Sequence, residues 1–125
     1  DYEQVLVELE ILLENYSDSI WAEEAGYRIT NILYTSGHCK KVRERYNWFV
    51  KRYPKSKYTS EMDFVIASCL EEEGELSLAY DKFKSLEKEY PYPSLLKMKL
   101  EKIEERVRKK RGRKKNSPYV LNMKK

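Results

Sequence analysis

The chain of 125 residues is long enough for one domain and too short for two ordinary ones. Its 37% of charged residues, with only four glycines and four prolines, argues against an all-β chain full of tight turns and favours a helical protein. The net charge of +4 is distributed unevenly along the chain. Residues 1–105 hold all 21 acidic residues, whereas residues 106–125 hold ten bases and no acid.

A repeat of 37 residues organises the chain. Its most visible element is a short motif that begins with tyrosine and ends with serine. The motif occurs as Tyr16-Ser17-Asp18-Ser19, as Tyr53-Pro54-Lys55-Ser56 and, with one inserted residue, as Tyr90-Pro91-Tyr92-Pro93-Ser94. Gly37 and Gly74 are separated by the same interval.

Apolar residues at helical spacing predict six helices, over residues 1–16, 20–36, 39–53, 57–73, 76–90 and 94–111. Gly37 and Gly74 are expected to end the second and fourth helices, since glycine adopts the left-handed C-cap conformation without penalty. Serines 19, 56 and 94 are candidate N-caps. The expected core comprises Leu9, Leu12, Ile29, Leu33, Val42, Tyr46, Phe49, Ile66, Leu70, Ala79, Phe83 and Leu86, with Leu96, Leu100, Ile103 and Val107 from the last helix.

The spacing of Ala79, Phe83 and Pro91 resembles the pattern of the tetratricopeptide repeat (TPR) family, and Val42, Tyr46 and Pro54 give a weaker version. The resemblance implies an all-α, right-handed superhelical solenoid of antiparallel helix pairs. Its units would cover residues 1–19, 20–56 and 57–94, with a closing helix over 94–111 that completes a repeat domain of residues 1–112. A basic flexible tail would follow over residues 113–125. Thr30 and Asp63 depart from the family pattern.

The long first helix of each repeat is similar to a TPR subgroup found in outer-membrane β-barrel assembly and in Tol–Pal coordination. That similarity implies a non-enzymatic scaffold in a bacterial envelope complex, as a fragment of a periplasmic, outer-membrane-associated lipoprotein; otherwise a cytoplasmic location is expected. When the 37-residue interval between Gly37 and Gly74 is extended towards the N-terminus, Asp1 and Tyr2 come directly after the position of a turn glycine. The chain is therefore expected to start in mid-repeat. An upstream segment would then carry the targeting signal or membrane anchor.

The first helices of TPR units line a concave surface, and the resemblance implies that Tyr27, Tyr34 and Phe64 face it. Six polar residues share that face: Glu24, Asn31, Glu61, Ser68, Glu71 and Glu72. Exposed aromatic rings among acids are typical of a protein-binding surface. They favour a basic peptide or subunit, including the tail of a neighbouring copy; the alternative is that the rings pack against adjacent repeats.

The C-terminal segment favours a second function, binding to an anionic surface or to nucleic acid. Seven basic residues carry this prediction: Arg108, Lys109, Lys110, Arg111, Arg113, Lys114 and Lys115. Nucleic acid is the weaker partner, because no aromatic residue interleaves with the cluster to stack on bases. For the cluster itself, a solvated last helix that unravels is the favoured interpretation, and binding to an anionic partner is the alternative.

The sequence indicates neither catalysis nor a cofactor or metal. His38 and Cys39 are adjacent and expected at an exposed turn, so they do not converge as a nucleophile and base would. Cys39 and Cys69 fit no zinc motif; two structural free thiols are the favoured interpretation and a disulfide is the alternative. The acidic run around Gly74 is interpreted as a solvated helix end.

Overall fold

A computed structural model describes the backbone of residues 2–115, and its regular elements in that range are all helices. In chain order they are α1 (Tyr2–Asn15), α2 (Ile20–Thr35), α3 (Cys39–Arg52), α4 (Thr59–Glu72), α5 (Leu76–Lys84) and α6 (Pro93–Lys115). The predicted all-α class is confirmed over these residues.

The largest departures from the predicted bounds lie at the C-terminal end. α5 ends at Lys84 rather than at residue 90. The chain then continues in tighter turns, and in one of them the amide of Leu86 donates a hydrogen bond to the carbonyl of Phe83. α6 begins with Pro93 in the first turn, where a missing amide hydrogen costs nothing, so Ser94 lies inside the helix. Residues 113–115, expected in a flexible tail, continue α6, and residues 116–125 lie outside the described residues.

The two turn glycines behave as the repeat predicts. Gly37 and Gly74 have φ angles of 81° and 82°. The amide of His38 donates to the Leu33 carbonyl, and the amide of Glu75 donates to the Leu70 carbonyl. This bond back over five residues is the mark of a glycine-terminated helix. α2 and α4 therefore end in the same way, one repeat apart.

We expect Gly37→Val and Gly74→Val each to lower the free energy of unfolding by about 1 kcal/mol or more, since a β-branched residue is strained at positive φ. An added Cβ would meet no atom within 4 Å at either position, so the cost is purely one of backbone conformation. Urea unfolding measures it. Gly112→Ala is the control, because Gly112 lies within α6 with equally open space, and there alanine should stabilise the helix. Unchanged midpoints for both valine variants would contradict the turn assignment.

Consecutive helices pack against each other along the chain, and α2 also packs against α4. Gly26 allows α2 and α3 to approach each other closely, because a Cβ at this position would lie 2.7 Å from the ring of Phe49 in α3. Thr30 is fully buried one turn later and satisfies its hydroxyl by donating to the Gly26 carbonyl at 3.0 Å. Most predicted core residues are buried. Five are only partly buried: Leu9, Leu12, Tyr46, Leu70 and Val107.

The two cysteines form a disulfide, so the favoured interpretation of free thiols is wrong. Cys39 opens α3 and Cys69 lies in the last turn of α4, with their Cα atoms 5.7 Å apart. Thirty residues separate them in sequence. The packing of α3 against α4 brings them together, and sequence spacing alone does not show it.

Candidate functional site

Aromatic rings from three separate segments meet on one side of the helices. This aromatic face consists of Tyr27 in α2, Tyr58 just before α4, Phe64 in α4, and Tyr90 and Tyr92 between α5 and α6. Tyr27 stacks on Tyr58 with ring centroids 4.9 Å apart, and Phe64 stacks on Tyr90 at 4.5 Å. Tyr92 meets Tyr90 edge-on at 5.6 Å. The aromatic face therefore contains two stacked pairs of rings.

Glu61 interacts with one tyrosine of each stacked pair. Burial raises the pKa of Tyr27, and a hydrogen bond to the Glu61 carboxylate raises it further. Burial also raises the pKa of Tyr90 to about 12, with the charge of Glu61 as the next cause. The side chain of Asn31 lowers the pKa of Tyr27, and Glu24 pairs with Arg28 at 2.7 Å at the edge of this region. Both tyrosines are neutral at pH 7, so the charges on this face are those of Glu61 and of Lys57, whose ammonium lies 5.3 Å from the Tyr58 ring centroid.

The rings are half-buried rather than freely exposed. Phe64 also contacts Phe83 of the core edge-on at 5.1 Å, so one side of its ring serves packing. Tyr92 is the exception, with 59% of its surface exposed. Sequence reasoning placed Tyr27 and Phe64 here but missed Tyr58, Tyr90 and Tyr92. The tyrosine that begins each short motif was an available signal for Tyr90, whereas the repeat gives none for Tyr58 or for Tyr92.

The four remaining predicted residues of α2 and α4 divide into a surface pair and a buried pair. Tyr34 donates its hydroxyl to Glu72 at 2.9 Å near the surface. Ser68 is buried and donates to the Phe64 carbonyl at 2.9 Å. Glu71 is only 4% exposed and pairs with Lys99 at 3.0 Å. The prediction that Glu71 belongs to a solvated helix end is wrong, because α6 supplies cations that cover it.

Alkaline titration is expected to destabilise the fold through Tyr34 and Tyr90. Burial, then the hydrogen bond to Glu72, raises the pKa of Tyr34 to about 12, and that of Tyr90 is also about 12. A raised native pKa gives stability that is complete below the unfolded value of about 10 and is lost as the pH rises through about 12. Thermal unfolding between these limits should show this loss. The double variant Tyr34→Phe/Tyr90→Phe should lose less stability over this pH range than the parent chain. An unchanged pH dependence in that variant would contradict the attribution of the loss to these two tyrosines.

The predicted basic segment forms the exposed end of α6. Arg108, Lys109, Lys110, Arg111 and Arg113 all have exposed side chains. Lys114 and Lys115 continue the helical backbone. A shallow groove between α5 and α6 borders this segment, lined by Leu76, Tyr80, Ile103, Val107, Arg108 and Arg111 among others. Cations and apolar surface are thus adjacent here.

A polar network that the sequence did not predict links three helices. Tyr46 of α3 donates its hydroxyl to Asp63 of α4, and the Lys82 ammonium of α5 lies 3.2 Å from the same carboxylate. Burial raises the pKa of Tyr46, and its hydrogen bond to Asp63 raises it further. Asp63, which departs from the family pattern, therefore links α3, α4 and α5 through one hydrogen bond and one ion pair.

Among residues 2–115, no three or more His, Cys, Asp or Glu side chains are grouped so that they could hold a metal ion. None of the helices described is long and apolar enough to cross a membrane. Comparisons with protein-family models, curated proteins and solved structures gave no match.

Proposed function

We propose that this chain is a non-enzymatic protein-interaction scaffold that binds a basic peptide segment of a partner across the aromatic face. The observation that carries the proposal is the meeting of five aromatic rings from three segments around Glu61. Aromatic side chains contribute large contact areas at interfaces, and they dominate binding energy where a partner covers them.

A basic, partly apolar peptide fits the chemistry of this face. An arginine or lysine can pair with the Glu61 carboxylate, and the flanking tyrosine rings offer faces on which a cation is attracted to the π electrons. Tyr92 contributes the most exposed ring and would close over the peptide from the α5–α6 connection. Specificity then comes from one charge pair flanked by aromatic contacts.

The TPR-like solenoid is part of the same proposal. It is supported by the 37-residue interval, by the matching glycine turns that end α2 and α4, and by the packing of α2 on α4 across one repeat. The Cys39–Cys69 disulfide supports a place in an oxidising compartment, such as the bacterial envelope, because disulfides rarely persist in a reducing cytoplasm.

Binding of short synthetic peptides that alternate arginine with apolar residues tests the proposal by calorimetry. Glu61→Gln and Tyr92→Ala should each weaken binding by about 1–2 kcal/mol. Tyr16→Ala is the matched control, since Tyr16 is 61% exposed, much like Tyr92, but lies outside the aromatic face. Failure of arginine peptides to bind better than matched glutamate peptides, or equal losses in Tyr92→Ala and Tyr16→Ala, would refute it.

The basic end of α6 favours a second candidate function, binding to an anionic surface. Two of its five described cations, Arg108 and Arg111, line the groove between α5 and α6. Binding to vesicles with anionic lipids should then fall steeply with salt, and Arg108→Glu/Arg111→Glu should reduce both the affinity and the salt dependence. The same measurement with duplex DNA tests the nucleic-acid alternative.

A further inference from the structure

The two residues of the Cys39–Cys69 disulfide differ in their access to water. Cys69 is completely buried, in a cluster with Ile29, Leu33 and Val42. Cys39 is only partly buried, at the edge of the same cluster. A reagent in solution can therefore approach the Sγ of Cys39, whereas the Sγ of Cys69 is reached only when the helices around it separate.

The chain on either side of Cys39 leaves this approach open. Residues 35–38 lead through the glycine turn into α3 and are all exposed, and Lys40 and Lys41 are exposed on the other side. A Cβ at Gly37 would meet no atom within 4 Å, so the space beside the turn is open. A molecule that carries a disulfide therefore has room to reach Cys39 over the turn.

Charge near the bond is mixed and does not select a sulfur by itself. Cys39 opens α3, whose first turn holds no acid, and a helix N-terminus favours an anionic thiolate. Its Cα also lies 5.7 Å from that of Cys69 in the last turn of α4, where the negative end of the helix dipole and Glu73 oppose this effect. Arg43 pairs with Glu73 and offsets its charge. Access is thus the property that distinguishes Cys39 from Cys69.

We propose that Cys39 is the site at which this chain exchanges with an external disulfide, and that Cys69 is the resolving cysteine. The ligand class is a disulfide, carried either by a small molecule such as glutathione disulfide or by the oxidised site of a thiol–disulfide oxidoreductase. A mixed disulfide on Cys39 is then the intermediate through which the Cys39–Cys69 bond forms. This site is independent of the peptide-binding function proposed for the aromatic face.

The exchange proceeds in two balanced steps. The Cys39 thiolate forms a bond with one sulfur of the external disulfide, whose own sulfur–sulfur bond breaks and whose other half leaves as a thiolate. The Cys69 thiolate then attacks the Sγ of Cys39 from the protein interior, which forms the native bond and releases the second half towards solvent. The two cysteines lose two electrons to the external disulfide, and their two protons end on the two thiols that it becomes.

The packing that buries Cys69 also positions it for the second step. The two Cα atoms are 5.7 Å apart, within the usual range for a disulfide, so no rearrangement of α3 against α4 is needed. Reduction of the bond follows the reverse path, in which an external thiolate attacks Cys39 and Cys69 leaves.

Trapping the mixed disulfide tests the proposal. The reduced full chain is mixed with glutathione disulfide, quenched with acid after short times and mapped by mass spectrometry. The adduct should form on Cys39 at least about tenfold faster than on Cys69, since a buried thiol reacts only when the fold opens. Cys69→Ala should accumulate the adduct on Cys39 because it lacks the resolving thiol, whereas Cys39→Ala should react at least about tenfold more slowly.

Concentrated urea provides the control for burial. The two single variants should then react at rates within about twofold of each other, because access no longer distinguishes their thiols. In the folded chain the uncharged hydroxyethyl disulfide should show the same preference for Cys39, since access and not charge selects it. Oxidised protein disulfide isomerase provides the protein-borne disulfide, and whichever source loads Cys39 faster at equal concentration is the favoured one.

Three outcomes overturn the proposal. The first is an adduct that forms on Cys69 of the reduced parent chain as fast as on Cys39. The second is an equal rate for Cys39→Ala and Cys69→Ala when circular dichroism shows both variants folded; if either is unfolded, the parent chain decides alone. The third is a difference between the variants that persists in urea, which would assign it to the local sequence instead of to burial.

Discussion

Removal of the Cys39–Cys69 disulfide is expected to lower the free energy of unfolding by about 3–4 kcal/mol, the loss that chain entropy assigns to a closed loop of this length. The bond spans 30 residues and joins the start of α3 to the last turn of α4. Against the roughly 5–15 kcal/mol that stabilises an ordinary domain, this is a large share. Urea unfolding of Cys39→Ala/Cys69→Ala measures it.

Reductant provides the control for this prediction. The parent chain in dithiothreitol should unfold close to the midpoint of the double alanine variant, and the reductant should leave that variant unchanged. If the parent chain unfolds at the same urea concentration with and without reductant, the disulfide makes no contribution to stability. The expected difference also means that the fold is most stable in an oxidising compartment, which is the setting proposed for it.

The sequence was most informative where one residue type has a single physical reason to be present. Gly37 and Gly74 end helices because other residues are strained at positive φ, so their spacing predicted two turns and the helices on either side. Apolar periodicity similarly predicted the buried faces of α2 and α3, where Ile29, Val42 and Phe49 are nearly inaccessible to water.

The sequence was least informative where a property depends on which helices pack together. Glu71 looked like one of a run of solvated acids, and only the placement of α6 over α4 shows that Lys99 covers it. The disulfide has the same origin, since local pattern says nothing about the distance between Cys39 and Cys69. Tyr92 joins the aromatic face through a one-residue insertion that no periodicity anticipates.

The Glu71 ion pair is expected to be the strongest side-chain link between α4 and α6. Its carboxylate accepts a hydrogen bond from Lys99 at 3.0 Å and lies 3.8 Å from the Arg106 guanidinium, which also donates to the Glu71 carbonyl oxygen at 3.4 Å. Glu71→Ala removes the acid and leaves two cations facing α4. The loss of stability should be about 2–3 kcal/mol, at or below the low end for a buried pair because both cations retain some water.

Glu73→Ala is the matched control for Glu71→Ala. Glu73 lies two residues away and pairs with Arg43, but both side chains of that pair are exposed, so its removal should cost about 0.5 kcal/mol or less. Urea unfolding gives both values, and amide hydrogen exchange should show faster exchange along α6 in Glu71→Ala alone. Equal losses in the two variants would mean that burial adds nothing to the Glu71 pair. Apolar contacts through Leu96, Leu100 and Ile103 would then hold α6 in place without it.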